Sequence, residues 1–216
     1  EFSAPLEAGK TNRSDLEYYE AGGKGINISI VLSNLGVPSR AFGFLGGFTK
    51  DFYIRLLTKY QDIRPNFSYI DGNTRINVKC NSTIDTNMNA CGPYIRDKDL
   101  DNLAGKLNTL YENDVLVLAG NTPAYTVDHM VSILKKLQAD GIKVALDTDA
   151  QLVKKMLSTK LFLLKTTKEE VRALVSYSIE TTKDMVRAAK DLHAQGVENV
   201  MILDIDGNAV LASKEG

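Results

Sequence analysis

The sequence predicts an α/β fold: a mostly parallel central sheet covered on both faces by helices, with a small antiparallel accessory sheet attached. Three observations carry that expectation. From Asp97 onward, short continuous apolar runs alternate with amphipathic helical patterns, the signature of a buried parallel sheet. Between Phe67 and Met88 the pattern changes to alternating apolar and polar residues, as in an antiparallel meander with one wet face. Near the start, Ala21-Gly22-Gly23-Lys24-Gly25-Ile26-Asn27 runs into Ile28, Val31, Leu32 and Leu35, an i, i+3, i+4, i+7 apolar series, so the glycines open a helix.

Taken in order, residues 1–20 are polar, with a short strand suggested by Leu16, Tyr18 and Tyr19. The first helix spans roughly Ile26 to Leu35 and is stopped by Gly36 and Pro38. Arg40 to Leu45 reads as a strand ending in Gly46-Gly47, and Lys50 to Tyr60 as a helix with Phe52, Leu56 and Tyr60 or Ile63 turned inward. The accessory sheet comprises Phe67 to Ile70, an Asp71-Gly72-Asn73 turn, Thr74 to Lys79 and Thr83 to Met88. Helices at Leu100–Leu110, Val127–Leu137, Leu152–Leu157, Lys168–Val175 and Lys183–Gln195 then alternate with strands at Asp114–Ala119, Lys143–Leu146, Leu161–Leu164 and Asn199–Leu203.

Composition removes several classes of function. With 216 residues, 44% of them hydrophobic, the chain can bury the core of one large domain. Lys plus Arg total 26 against 27 Asp plus Glu, a formal charge of -1, so no general attraction to nucleic acid or to an anionic membrane is expected. Cys80 and Cys91 have neither disulfide-scaffold nor metal-ligand spacing, and the apolar runs are too short to span a bilayer. The expectation is a cytoplasmic protein without a signal peptide. His129 and His193 fall within helical patterns, and no Gly-x-Ser-x-Gly, His-Glu-x-x-His or Cys-x-x-Cys occurs, which leaves hydrolase and zinc readings without support.

The chemistry concentrates at three places. Peptide N–H groups at the glycine-opened helix start lack internal partners and admit an anion closely, with Lys24 adding a full charge; an ordinary tight turn would have the same spacing. Along Thr74 to Lys79, Arg75, Asn77 and Lys79 share one strand face, either a solvated face or a site for an anionic ligand, and Arg75 is suited to paired hydrogen bonds with a phosphate. In parallel sheets ligands gather at the carboxyl ends of the strands, which here carry Gly120-Asn121, Asp147-Thr148, Lys165-Thr166-Thr167 and Asp204. Together they imply a small phosphorylated ligand.

Five segments also resemble a known family. Ala-Gly-Gly-Lys-Gly-Ile-Asn at 21–27, Gly-Phe-Leu-Gly-Gly-Phe-Thr at 43–49, Thr-Arg-Ile-Asn-Val-Lys at 74–79, Gly-Pro at 92–93 and Lys-x-x-x-Glu-Glu at 165–170 are similar to the 1-phosphofructokinases of the ribokinase-like, PfkB-type carbohydrate kinases. The resemblance runs from about Asn12 to the end of the chain. It implies a ribokinase-like three-layer sandwich over residues 1–216, incomplete at both ends, with the accessory sheet, roughly 11–20 and 67–90, acting as a lid. It implies transfer of the ATP γ-phosphate to fructose 1-phosphate with Mg2+. By the same resemblance Gly22, Gly23, Lys24, Asn27 and Asn121 would hold the sugar and Arg75 its phosphate. Lys165, Glu170, Asp204 and Gly207 would face the nucleotide, with Glu170 on the magnesium side.

The chain also departs from the family pattern. The Gly-Ala-Gly-Asp turn that supplies the catalytic base is absent, as is the opening strand with its substrate-binding aspartate. Thr167 stands where the family has the asparagine of a Lys-Pro-Asn run, the Ser-Leu-Gly turn is altered at Asp204-Ile205-Asp206-Gly207, and the connection at Asn121-Thr122-Pro123-Ala124 is shorter. Tagatose 6-phosphate kinase is the nearest enzymatic alternative. A non-catalytic, kinase-derived sugar-phosphate-binding protein is the alternative outside enzymes. The accessory sheet, with unpaired edges, suggests a homodimer.

Overall fold

The glycine turn does open a helix, α1 (Lys24–Asn34), but the inward side of that helix differs from the predicted one. Ile26 and Ser29 are buried, whereas Val31 and Leu35 are 57% and 72% exposed. The small Ser29 lets the helix approach its neighbours through Ile26 and Ile30, spaced i, i+4, so the longer apolar series faces outward. These features come from a computed structural model that describes residues 1–215, in which the chain forms two units, residues 1–99 and residues 100 onward.

In the first unit, the expected strand Arg40 to Leu45 is two short strands, β1 (Ser39–Ala41) and β2 (Phe44–Gly46). Gly43, at φ 153°, makes the break, and the Phe67 ring lies 3.6 Å from where a Cβ would stand. Helix α2 (Gly47–Leu57) follows, then β3 (Ile63–Pro65) and β4 (Ser68–Ile70). β1 pairs in parallel with β3, and β2 in parallel with β4. Phe67 to Ile70 therefore does not belong to an antiparallel meander. Its alternation is that of a short half-buried strand, which periodicity alone cannot assign to one sheet or another. Ala21, Ile26, Ala41, Leu45, Leu57, Ile63 and Phe67 form the core, with Tyr53, Ile54, Leu56 and Tyr60 packed against it. Phe52, expected inside, is 42% exposed and instead stacks edge-on against Tyr19 at 5.4 Å. No strand forms within residues 11–20. The accessory sheet is the antiparallel pair β5 (Asn77–Cys80) and β6 (Thr86–Asn89), in the register Asn77 to Asn89 and Cys80 to Thr86.

The second unit follows the predicted alternation closely. Helix α3 (Asp97–Leu107) leads into β7 (Val115–Gly120), then α4 (Val127–Ala139), β8 (Lys143–Thr148), α5 (Ala150–Met156), β9 (Leu163–Thr167), α6 (Lys168–Val171), α7 (Thr182–Ala194) and β10 (Val200–Leu203). The sheet order is β11-β10-β9-β8-β7, all parallel except β11 (Ala209–Ala212), a strand absent from the sequence reading, which returns antiparallel to β10. Its four residues follow the polar run Asp204 to Asn208 and are too few to show a period. Leu146, Leu164, Val200 and Ile202 are fully buried, with α4 and α5 against β8 and α7 against β10 and β11. Because neighbouring strands are parallel and in sequence order, Gly120, Thr148, Thr167 and Leu203 finish at one edge of the sheet. That edge is where a ligand site belongs in such sheets.

Candidate functional site

The glycine turn is built from backbone conformations that other residues resist. Gly23 caps α1 at φ 115° and its carbonyl accepts the Asn27 N–H at 2.9 Å, closing the first helical turn. Lys24 and Asn27 lie i, i+3 on that turn, so their side chains leave α1 on the same face. Both are exposed, as are Gly22 and Gly23. Sequence and structure thus agree on four residues gathered at one helix start.

Arg75 follows a lock formed where the sequence predicts only the end of a strand. Gly46 N–H donates to Thr74 Oγ1 at 2.9 Å, Thr74 N–H donates to Gly46 O at 2.9 Å, and Thr49 Oγ1 donates to Thr74 O at 2.9 Å. A Cβ on Gly46 would stand 2.5 Å from Ile70 O and closer still to Gly72 O, and Gly47, at φ 61°, lies against the Asn73 side chain. Gly-Gly-Phe-Thr and Asn73-Thr74 are therefore one interlocked turn, and Arg75 is the next residue out. Its aliphatic stem lies over Gly92, with Cδ 3.6 Å from the position of a Cβ there.

Behind this turn, Arg96 ties Asp71 to Asp99. Its Nη1 donates to Asp71 at 2.6 Å, and its Nε and backbone N–H donate to Asp99 Oδ2 at 3.1 and 2.9 Å. Asp99 is buried, and its hydrogen bond to the Arg96 side chain holds its carboxyl below the usual aspartate range. A depressed folded-state pKa contributes stability that is present above the unfolded value, about 3.9, and is lost as pH falls through the folded value. The thermal midpoint is accordingly expected to fall in acid below about pH 4, with Asp99→Asn flattening that limb. An unchanged limb in Asp99→Asn would remove Asp99 from the account.

At the sheet edge of the second unit, Lys165 on β9 donates to Asp147 on β8 at 3.3 Å, with both side chains largely buried. Lys168, not singled out from the sequence, pairs with Asp204 at 3.0 Å, and this contact holds the Asp204 carboxyl below its ordinary range. Glu170 forms a capping box: its Oε2 accepts the Thr167 N–H at 2.9 Å while Thr167 Oγ1 accepts the Glu170 N–H at 3.1 Å. The threonine in place of the expected asparagine is what makes this box. Asn121 is exposed between two anchored neighbours, since Thr148 Oγ1 donates to Gly120 O at 2.6 Å and Thr122 N–H donates to Asp149 at 2.7 Å. Gly207, at φ 83°, turns the β10–β11 hairpin, its N–H donating to Asp204 O at 3.1 Å. Lys165, Glu170, Asp204 and Gly207 are thus gathered around the ends of β9 and β10, whereas Asn121 follows β7.

A family model for the pfkB family of carbohydrate kinases matches residues 3–213. The 1-phosphofructokinase of Borreliella burgdorferi is 36% identical over 196 residues, covering 90% of this chain and 64% of that protein. The D-tagatose-1-phosphate kinase of Bacillus licheniformis is 31% identical over 193 residues, covering 88% of this chain and 63% of its own length. The chain therefore spans just under two thirds of these relatives. Among solved structures, phosphofructokinase-2 of Escherichia coli shares the fold with a TM-score of 0.93 at 18% identity, over 100% of this chain and 72% of that one.

Proposed function

The chain belongs to the pfkB family of carbohydrate kinases, a ribokinase-like α/β fold, and from that premise we propose that the protein phosphorylates fructose 1-phosphate to fructose 1,6-bisphosphate with ATP as donor. The observation that supports the reading is the interlocked Gly46–Thr74 turn, which fixes the backbone just before Arg75, the residue we assign to the 1-phosphate. A guanidinium makes two parallel hydrogen bonds to a phosphate where a lysine makes a point contact. Gly22, Gly23, Lys24 and Asn27 then hold sugar hydroxyls.

The donor side rests on the second unit. Lys165 would face nucleotide phosphate, with Asp204 and Gly207 at the hairpin beside it. The residues fit Mg2+ in one respect: the Glu170 carboxylate is already oriented by the Thr167 N–H, as metal-bound carboxylates are by their outer hydrogen bonds. Glu170 would hold the ion, which when bound neutralises charge on the transferring phosphate. The aspartate base implied by the family resemblance has no counterpart among the 216 residues, and no proton-transfer step is assigned to this chain.

A second reading has its own support. Lys168 pairs with Asp204 and Lys165 donates to Asp147, so two of the residues named for the donor side already have ion-pair partners. A protein that binds sugar phosphate without transferring to it would show that arrangement. Measuring ADP release with fructose 1-phosphate, tagatose 1-phosphate and tagatose 6-phosphate as acceptors separates the readings. The proposal expects turnover with fructose 1-phosphate above either tagatose phosphate. Turnover led by a tagatose phosphate would reassign the substrate, and binding without ADP release would favour the non-catalytic protein.

The proposal includes a cytoplasmic location and a homodimer formed through the accessory sheet. Ile76, Val78, Ile84 and Met88 are all exposed on or beside β5 and β6. Apolar residues gathered on a two-stranded sheet with open edges invite pairing. Light scattering that found a monomer at every concentration would remove the dimer from the proposal.

A further inference from the structure

Helix α2 holds the chain just before and within the glycine turn with two consecutive aromatic residues. The Phe52 ring meets Tyr19, which precedes the turn, and Tyr53 Oη donates to the Gly22 carbonyl at 2.7 Å. Tyr53 is itself fixed. Its ring packs against the core of the first unit and stands edge-on to Phe67 at 5.9 Å, and Phe67 lies in turn beneath Gly43. Burial pushes the phenol pKa well above its ordinary value, so the hydroxyl remains a donor throughout the physiological range.

Gly22 and Gly23 are the residues least able to hold a conformation by themselves. Gly23 occupies a φ of 115°, and no other atom stands within 4 Å of where a Cβ of either residue would lie. Such a segment samples many states unless something outside it selects one. We propose that Tyr53 is the positioning residue of the sugar site, its hydroxyl holding the Gly22 carbonyl so that Gly23, Lys24 and Asn27 meet the sugar already arranged. This rests on the assignment of the turn to the sugar. A turn competent for only a fraction of the time binds more weakly by that fraction, with no contact to the ligand altered.

Tyr53→Phe tests this, because it removes the oxygen and leaves the ring against Phe67. Two readouts are taken on the whole chain: amide hydrogen exchange without ligand, and KM for fructose 1-phosphate and for ATP. The expected result is faster exchange at residues 22–27 with the α2 amides unchanged. KM for fructose 1-phosphate should rise roughly three- to tenfold, the effect of one neutral hydrogen bond, while KM for ATP and kcat stay within about twofold. A purely structural role would move α2 exchange and both KM values together, and that outcome would overturn the inference. Unchanged exchange at 22–27, or faster exchange with an unchanged sugar-phosphate KM, would also overturn it. If the parent chain binds fructose 1-phosphate without turnover, its Kd by calorimetry takes the place of KM with the same expected rise. If it shows no affinity, the sugar assignment fails, and the role of Tyr53 in fixing the turn is decided by exchange alone.

Discussion

Gly46→Ala is expected to destabilise the chain by roughly 3 kcal/mol, the upper end of the cost of overpacking, and to abolish measurable binding of fructose 1-phosphate. The reason is the identity of the obstructing atoms. A flexible side chain could swing away from a new methyl group, but here the neighbours are the backbone carbonyl oxygens of Ile70 and Gly72. Ile70 is the β4 partner of Gly46, so relieving the clash means separating β2 from β4. The same movement pulls Thr74 off Gly46 and with it the residue that follows, Arg75. Urea unfolding and calorimetry on one preparation check both halves. A variant with the parent's midpoint would show that the turn is not locked as described.

Arg75→Ala should behave in the opposite way, losing affinity without losing stability. Arg75 is exposed and its stem lies over Gly92, so the melting temperature should remain close to that of the parent. Sugar-phosphate affinity should fall by about 1.5–3 kcal/mol, the range for a hydrogen bond to a charged group, or roughly 10- to 150-fold. Arg75→Lys should recover part of it, because an ammonium keeps the charge and loses the paired geometry. An affinity unchanged in Arg75→Ala would return this residue to an ordinary solvated face.

These two residues also mark the limits of what the sequence discloses. Arg75 stands out in the sequence as a basic residue beside Ile76 and Val78, but the strand expected over Thr74–Lys79 begins only at Asn77. Arg75 therefore precedes it and does not share a strand face with Asn77 and Lys79. The function of Gly46 was not legible, because it depends on carbonyl groups from residues 24 and 26 positions further along the chain. The β7, β8 and β10 strands could be read directly, since each contains a continuous apolar run. By contrast, β9 (Leu163–Thr167) starts two residues later than the expected Leu161–Leu164 and ends in the polar Lys165-Thr166-Thr167, and the helix expected over Lys168–Val175 stops at Val171. Ser39–Ala41 and Ile63–Pro65 are strands of three residues, too short for a period, and they exist because they pair with each other. The outward side of α1 was misjudged for a related reason: a rich apolar series at Ile28, Val31 and Leu35 outweighs Ser29 on any hydropathy scale, yet it is the small serine that fits the core. At the sheet edge, Lys165 stands out as a polar strand end and Glu170 only through the family resemblance. Their partners Asp147 and Thr167, and the Lys168–Asp204 pair beside them, became apparent only once strand register had brought β8, β9 and β10 together.

The central claim is that this chain recognises a ketose through its 1-phosphate, with the glycine turn and Arg75 as the anchors. Isothermal titration of the 216-residue chain with fructose 1-phosphate, set beside fructose and inorganic phosphate, tests it most directly. The account predicts saturable one-to-one binding of fructose 1-phosphate, weakened in Arg75→Ala, and no comparable binding of fructose or phosphate alone. Equal binding of fructose and fructose 1-phosphate, or no heat with either, would contradict it.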